Sequence, residues 1–155
     1  MEVGMPLPAV TFKATSGITT TFEHYRGQWL IIYFYPKDAT PGCTTEGCDF
    51  RDYEKMFSLY HANIVGISRD SVASHEKFKA TQGFPFELIS DPDEVLCSAF
   101  DVIKMKSMYG KQVRGIERST FLIDPEGIVR HIWRKVQVRG HVEEVLAQLE
   151  ELQKT

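Results

Sequence analysis

The chain has 155 residues, of which 43% are hydrophobic and 25% charged, the composition of a globular protein with one core. Its 18 basic and 21 acidic residues give a net charge of −3, which argues against a nucleic-acid or anionic-membrane partner. The longest apolar run, Trp29 to Tyr35, is too short to span a bilayer, and Met1 to Pro6 lacks the features of a secretion signal. We therefore expect a single cytoplasmic domain over residues 1–155.

The N-terminal part of the chain predicts a small hairpin followed by a central strand. Val10 to Phe12 and Ile18 to Phe22 are short strand-forming runs, and Ser16-Gly17 lies between them as a turn. Trp29 to Tyr35 is continuously apolar or aromatic, as expected of a strand that is covered on both faces. Pro36 ends this strand.

The next segment predicts a helix that begins directly after the central strand. Thr40 and Pro41 suit the N-cap and the first helical position, and we expect the Thr40 hydroxyl oxygen to accept from the Cys43 N–H. Apolar residues at intervals of three and four indicate one face of a single long helix: Phe50, Tyr53, Phe57 and Tyr60. Asn63 to Ser68 predicts the following buried strand, parallel to the first.

The second half of the chain predicts two helices, a short strand, a hairpin and a closing helix. The predicted elements are a helix from Asp70 or Ser71 to about Thr81, a strand from Phe86 to Ser90, a brief helix over Val95 to Phe100, a hairpin of Ser119–Ile123 with Ile128–Trp133, and an amphipathic helix from Val142 to Leu152. This order favours an α/β, thioredoxin-like fold: a central mixed sheet with helices on both faces and an N-terminal hairpin.

Cys43 and Cys48, five positions apart, indicate thiol chemistry. A cysteine in the first turn of a helix faces unpaired N–H groups and the positive end of the helix dipole, which favour the thiolate. On an ideal helix the two Cα atoms lie about 8.6 Å apart, beyond the roughly 7 Å limit for a disulfide. If the two sulfurs pair, the helix must unwind, and Gly47 weakens it there. Gly42 allows a substrate or another backbone segment to approach closely.

Other interpretations of these residues remain open at this stage. Cys43 and Cys48 could be small core residues, and Cys97 suits packing better than a role as a second resolving thiol. Met105 and Met108 with Tyr109 either line an apolar entrance or pack in the core. The five histidines show no metal-binding spacing, so we expect neither a metal nor a cofactor.

The segment from Phe34 to Asp52 closely resembles the active-site segment of peroxiredoxins, in particular the bacterioferritin comigratory protein or peroxiredoxin Q subfamily. It contains the family's Pro-x-x-x-Thr-x-x-Cys pattern as Pro36, Thr40 and Cys43. A second matching segment, from Lys106 to Asp124, covers the region of the family's active-site arginine, which here is Arg118.

The resemblance implies a thiol-dependent peroxidase that reduces hydrogen peroxide and organic hydroperoxides. It implies that Cys43 is the peroxidatic and Cys48 the resolving cysteine, joined in an intramolecular disulfide. Pro36, Thr40, Gly42 and Arg118 would form the substrate site, with Pro36 shielding it, Thr40 orienting the peroxide and Arg118 beside the thiolate.

The same resemblance implies a monomer recycled by thioredoxin or a similar dithiol reductant. Two other functions are the alternatives. A general thiol–disulfide oxidoreductase would normally carry Cys-x-x-Cys, and a zinc-binding or redox-sensing module would need a second ligand pair.

Overall fold

The computed structural model describes residues 1–154; Thr155, the last residue of the predicted domain, lies outside the described residues. The strands within this range are β1 (Phe12–Ala14), β2 (Thr19–Thr20), β3 (Trp29–Phe34), β4 (Ala62–Ser68), β5 (Glu87–Ser90), β6 (Ile103–Met108), β7 (Lys111–Ile116), β8 (Ser119–Ile123) and β9 (Val129–Trp133). The α-helices are α1 (Pro41–Asp52), α2 (Glu54–Leu59), α3 (Val72–Gln82), α4 (Val95–Ala99) and α5 (His141–Gln153), and a 3₁₀ helix covers Phe22–Tyr25. None of the helices within residues 1–154 combines the length and apolar character needed to cross a membrane.

The main sheet has seven strands in the order β2-β1-β5-β4-β3-β8-β9, and β6 pairs with β7 in a separate hairpin. Strands β3, β4 and β5 are parallel, while β1, β8 and β9 join antiparallel. The predicted mixed sheet is therefore confirmed. The N-terminal hairpin is confirmed too, with β1 beginning at Phe12 rather than at Val10.

Strand β3 lies between two cores because its side chains alternate across the sheet. Leu30, Ile32 and Phe34 belong to the core that α4 closes, whereas Ile31, Tyr33 and Tyr35 belong to the core under α1, α3 and α5. Helices therefore cover both faces, as the apolar run predicted. The loop into α1 consequently begins at the end of a strand that is buried on both faces.

The prediction of one long helix was wrong at Tyr53. Helix α1 ends at Asp52, Tyr53 has φ −98° and ψ 3°, and α2 begins at Glu54. Phe50 and Phe57 remain buried in the same core on either side of the break. Because the chain becomes helical again after one residue, the apolar periodicity continues through the break and does not reveal it.

The β6–β7 hairpin was not predicted, because its sequence lacks a buried alternating pattern. Tyr109 and Gly110, with φ 52° and 77°, form the two-residue turn between the paired Met108 and Lys111. Met105 and Met108 are 59% and 53% exposed and lie on opposite faces of the hairpin, so core packing is excluded for them. Tyr109 is fully exposed at the tip.

Gly47 lies where α1 packs most closely against the segment after α3. A Cβ atom on Gly47 would lie 2.4 Å from Cζ of the Phe84 ring, which stacks on Phe86. Two effects of this glycine therefore oppose each other. Its low helix propensity weakens α1 by about 1 kcal/mol, and its lack of a side chain permits the contact with Phe84.

We expect Gly47→Ala to destabilise the reduced protein, because overpacking costs about 1–3 kcal/mol and exceeds the gain in helix propensity of about 1 kcal/mol. Denaturant unfolding of the reduced protein measures the difference. Phe84→Leu makes room, so the double variant should lose less stability than the two single losses added together. A Gly47→Ala protein more stable than the wild type would show that helix propensity dominates.

Candidate active site

Cys43 lies in the first turn of α1, immediately beyond the carboxyl end of β3. Cys43 is only 1% exposed and belongs to the core that contains Tyr35 and Phe50. The seven-residue spacing between Cys43 and Phe50 places both side chains on the inward face of α1. All three cysteines are free thiols.

The Arg118 guanidinium joins the thiol of Cys43 to a buried carboxylate. Its Nη2 donates to Cys43 Sγ at 3.5 Å, and its Nη1 donates to Glu46 Oε1 at 2.6 Å. Burial acts to lower the pKa of Arg118, but the charges of Glu46 and Cys43 outweigh it and the net shift is upward. Arg118 therefore remains a cation beside the sulfur, where it stabilises negative charge.

Gly42 gives the Arg118 side chain room to reach the sulfur. A Cβ atom on Gly42 would lie 3.2 Å from Arg118 Nη2. The space beside Gly42, which we expected a substrate to approach, is therefore occupied by the Arg118 guanidinium. The structure brings Gly42, Cys43 and Arg118 together, although Arg118 lies between β7 and β8, far along the chain.

Glu46 is part of this site and was missed in the sequence. The residue is fully buried, and its Oε2 has no hydrogen-bond partner within residues 1–154. Burial raises the pKa of Glu46 to about 7, although the Arg118 charge acts in the opposite direction. Its spacing from Cys43 and Phe50, which places an acid on the inward face of α1, was the available signal.

Thr40 is the N-cap residue, as predicted, but the predicted hydrogen bond from the Cys43 N–H to its hydroxyl is wrong. Thr40 is the N-cap of α1 with extended backbone angles, φ −78° and ψ 155°, but its side chain makes no capping hydrogen bond. Its hydroxyl instead donates to the Lys37 carbonyl oxygen at 2.9 Å. Pro41 explains the extended conformation, and the hydroxyl oxygen stays free to accept from a bound peroxide.

Pro36 precedes Cys43 in the chain and Cys48 follows it, and both are partly buried. Pro36 is partly buried and directly follows the buried Tyr35 at the end of β3. Cys48 is half-buried, and its thiol donates to Gln82 Oε1 at 3.4 Å. Arg51 donates to the Gln82 carbonyl oxygen at 2.8 Å, so its guanidinium lies on the Cys48 side of α1 and not at Cys43.

Cys97 lies in the other core, on the far side of the sheet from Cys43. It is fully buried, and burial, with the neighbouring Asp91 carboxylate, raises the pKa of its thiol well above the ordinary value. A neutral thiol separated from Cys43 by the sheet is a packing residue. Of the other two cysteines, Cys48 therefore remains the candidate disulfide partner of Cys43.

A free thiol beside a guanidinium, at a helix start on a thioredoxin-like sheet, defines a thiol-dependent redox protein. Residues 3–132 match the AhpC/TSA family. Peroxiredoxin Bcp of Xanthomonas campestris is 59% identical over 149 residues, which cover 94% of this chain and 93% of that protein.

Two solved structures are similar over nearly the whole chain. The bacterioferritin comigratory protein of Xanthomonas campestris, solved in trapped intermediate and ligand complexes bearing on its alkyl peroxide reduction activity, has a TM-score of 0.90 and 55% identity, covering 97% and 98% of the two chains. A cysteine-to-serine variant of Xylella fastidiosa PrxQ has a TM-score of 0.93 and 48% identity, covering 97% and 96%. The chain belongs to the AhpC/TSA family, as a peroxiredoxin of the Bcp/peroxiredoxin Q kind, and is a thiol-dependent peroxidase.

The burial of Glu46 makes the stability of the fold decrease as the pH rises. Its pKa rises from 4.5 in the unfolded chain to about 7 in the fold, so its favourable contribution is complete below the lower value and is lost as pH rises through the upper one. This difference corresponds to about 3 kcal/mol. We expect this contribution to the free energy of unfolding of the reduced protein to fall between about pH 5 and pH 8, while His141, whose burial lowers its pKa to about 4, acts in the opposite direction below about pH 6.5. The wild type should therefore lose stability relative to Glu46→Gln over this range.

Glu46→Gln should remove this fall, as measured by denaturant unfolding at several pH values. Glu144→Gln, at an exposed position of α5, is the matched control and should keep the wild-type pH dependence. An unchanged pH dependence in Glu46→Gln would show that another group causes it.

Proposed function

We propose that Cys43 is the residue that reduces the peroxide, for both hydrogen peroxide and organic hydroperoxides, and that Cys48 resolves the oxidised product. The contact of the Arg118 guanidinium with the Cys43 sulfur carries this proposal, since it stabilises negative charge where the reaction needs it. Pro36, Thr40, Gly42 and Arg118 form the proposed binding site for the peroxide.

The first step is a nucleophilic attack. The ionised Cys43 sulfur attacks the terminal hydroperoxide oxygen, the S–O bond forms and the O–O bond breaks. The electron pair leaves with the alkoxide, which takes up a proton to become an alcohol, or water when the substrate is hydrogen peroxide. Sulfur loses two electrons and becomes a sulfenic acid. Arg118 lies where it can offset the charge on the departing oxygen.

The second step joins the two cysteines. The Cys48 sulfur attacks the Cys43 sulfenic acid, the S–S bond forms, the S–O bond breaks, and the hydroxide leaves with the Cys48 proton as water. Helix α1 is continuous from Pro41 to Asp52 in the reduced protein, so its first turns must unwind before the sulfurs meet.

The cycle closes when a dithiol reductant returns two electrons and two protons to the disulfide and is itself oxidised to a disulfide. We assign this role to thioredoxin or a similar protein and place the reaction in the cytoplasm, where such reductants act. We further propose that the peroxidase works as a monomer and that residues 1–155 act as one domain. The half-buried position of Cys48 supports access by a reductant from that side.

Ionisation of the thiol explains only a small part of a fast peroxidase rate. An ordinary thiol with a pKa of about 8.5 is a few per cent ionised near neutral pH, so complete ionisation gains roughly thirtyfold, or about 2 kcal/mol. Further acceleration must come from stabilising the transition state of O–O cleavage. Arg118, Thr40 and the N–H groups of the first turn of α1 are the groups in position to do so.

Arg118→Ala should therefore lose more peroxidase rate than the ionised fraction of Cys43 explains. We expect kcat/KM for the peroxide to fall at least a hundredfold, as for the loss of one transition-state donor, about 10²–10³. Stopped-flow kinetics gives the rate, and alkylation by iodoacetamide across pH gives the ionised fraction. Equal losses in the two measurements would contradict the assignment of Arg118 to the transition state.

Replacing each cysteine in turn separates the two steps. Cys43→Ser should abolish turnover, since the hydroxyl cannot be ionised near neutral pH. Cys48→Ser should consume one equivalent of peroxide and then stop as a sulfenic acid, detectable by dimedone labelling and mass spectrometry. Cys97→Ala is the control and should turn over at the wild-type rate. A Cys43–Cys97 disulfide in the peroxide-treated protein would contradict the role of Cys48.

A further inference from the structure

A buried hydrogen-bond network lies behind the loop that leads into α1, and it includes no residue of the proposed peroxide site. The Asp38 carboxylate is at its centre: Oδ1 accepts from the Tyr35 hydroxyl at 2.6 Å, and Oδ2 accepts from the Ser74 hydroxyl at 2.8 Å. Nδ1 of His75 lies 2.7 Å from the same Oδ2. The second ring nitrogen, Nε2, lies 3.0 Å from the Ile89 carbonyl oxygen.

The acceptors around His75 determine which of its nitrogens carry hydrogen. A carbonyl oxygen only accepts, so Nε2 carries a hydrogen, and the short contact of Nδ1 with a carboxylate requires a second hydrogen between them. His75 and Asp38 are therefore joined by a hydrogen bond between Nδ1 and Oδ2. Their side chains are 0% and 4% exposed, so water does not compete for these hydrogen bonds.

Hydrogen bonds outweigh the effect of burial on Asp38. Burial acts to raise the pKa of Asp38. The hydrogen bonds from His75, Tyr35 and Ser74 lower the pKa by more than burial raises it, so the net shift is downward. The ionised carboxylate is thus the form that the network holds. Losing His75 leaves the buried Asp38 charge without its hydrogen-bond partner.

This network holds the loop that leads into the catalytic helix. The Asp38 N–H donates to Asp70 Oδ2 at 2.9 Å, so main chain and side chain of Asp38 are both anchored. The next residue, Ala39, has φ 62°, a left-handed conformation that is strained for a residue with a Cβ. Thr40 then begins α1. Such a conformation persists only where the surroundings hold it, and here Asp38 does so.

We propose that Asp38 and His75 are positioning residues for peroxide reduction: the buried pair holds Ala39 in its left-handed conformation and thereby sets Cys43 against Arg118. This inference rests on the proposed function of Cys43. The same anchoring opposes the unwinding of α1 that brings Cys43 to Cys48. The pair therefore favours the first chemical step and slows the second.

The network is not assigned to a cation, although ligand atoms of Asp38, Asp70 and His75 lie within 4.8 Å of one another. Each of these atoms already has hydrogen-bond partners in the protein. Asp70 Oδ2 accepts from Asp38 N–H and the Ser68 hydroxyl, and the atoms of Asp38 and His75 are bonded as described above.

Rapid-mixing fluorescence of the reduced protein with hydrogen peroxide tests the proposal, because it separates oxidation of Cys43, which depends on peroxide concentration, from disulfide formation, which does not. In Asp38→Asn and His75→Asn we expect oxidation to slow about tenfold or more, since a displacement of about 1 Å costs up to a hundredfold. Disulfide formation should become severalfold faster. Asp38→Asn/His75→Asn should lose no more oxidation rate than either single variant.

Thr15→Val is the matched control, because it removes two hydrogen bonds of a buried side chain, to Glu87 and from the Leu88 N–H, that involve no residue of the Asp38 network. It should lower stability and leave both rates unchanged. Tyr35→Phe, which removes one hydrogen bond to Asp38, should show the same opposite changes at smaller size and serves if the charge variants do not fold. Unchanged rates, or a fall in both, would overturn the proposal. Failure of the proposed function is a separate result: turnover by Cys43→Ser in the same assay.

Discussion

The contact between Arg118 and Cys43 is the interaction on which the proposed chemistry of this protein depends. A cation kept beside the sulfur by a buried carboxylate can act on the thiolate and then on the oxygen that leaves. Glu46 holds the guanidinium at the cost of a buried charge, which its raised pKa records. Glu46 therefore orients the Arg118 guanidinium but lowers the stability of the fold at alkaline pH.

The reduced structure favours attack on the peroxide over resolution. Cys43 is buried at the start of α1, whereas Cys48 is held on another side of the helix by Gln82. The contacts of Gly47 with Phe84 and of Arg51 with Gln82 anchor the middle of α1. The Asp38 network anchors the loop before α1 at Asp38. Unwinding is therefore expected between Ala39 and Glu46. Cys43 lies in this segment and is then the sulfur that moves.

The sheet also divides the cysteines between two environments. Strand β3 separates the core of Cys43 from the core of Cys97. Each cysteine is the third residue of its helix, but Cys43 has a guanidinium nitrogen 3.5 Å from its sulfur. Burial and the Asp91 carboxylate raise the pKa of the Cys97 thiol, whereas the Cys43 thiol, buried to a similar degree, accepts a hydrogen bond from the Arg118 guanidinium. Exposure therefore does not distinguish the reactive thiol from the inert one; the neighbouring charge does.

The sequence by itself determined the strand-to-helix passage at Cys43, the parallel pair of β3 and β4, the hairpin of β8 and β9, and through the matched motifs the family. These features depend on local patterns, such as an apolar run, a Thr-Pro helix start and a regular apolar face, which neighbouring residues specify. The break at Tyr53 and the β6–β7 hairpin were missed because neither alters or creates such a pattern.

Only the tertiary structure decided which distant groups meet. It placed Glu46 beneath Arg118, turned the Thr40 hydroxyl to Lys37, assigned Gly42 to the guanidinium and joined Asp38 to His75. These contacts depend on how β8 and α3 pack against α1 and the loop before it. Nothing in a single sequence gives the distance between residues far apart in the chain, since that distance is set by the packing of the sheet and its helices.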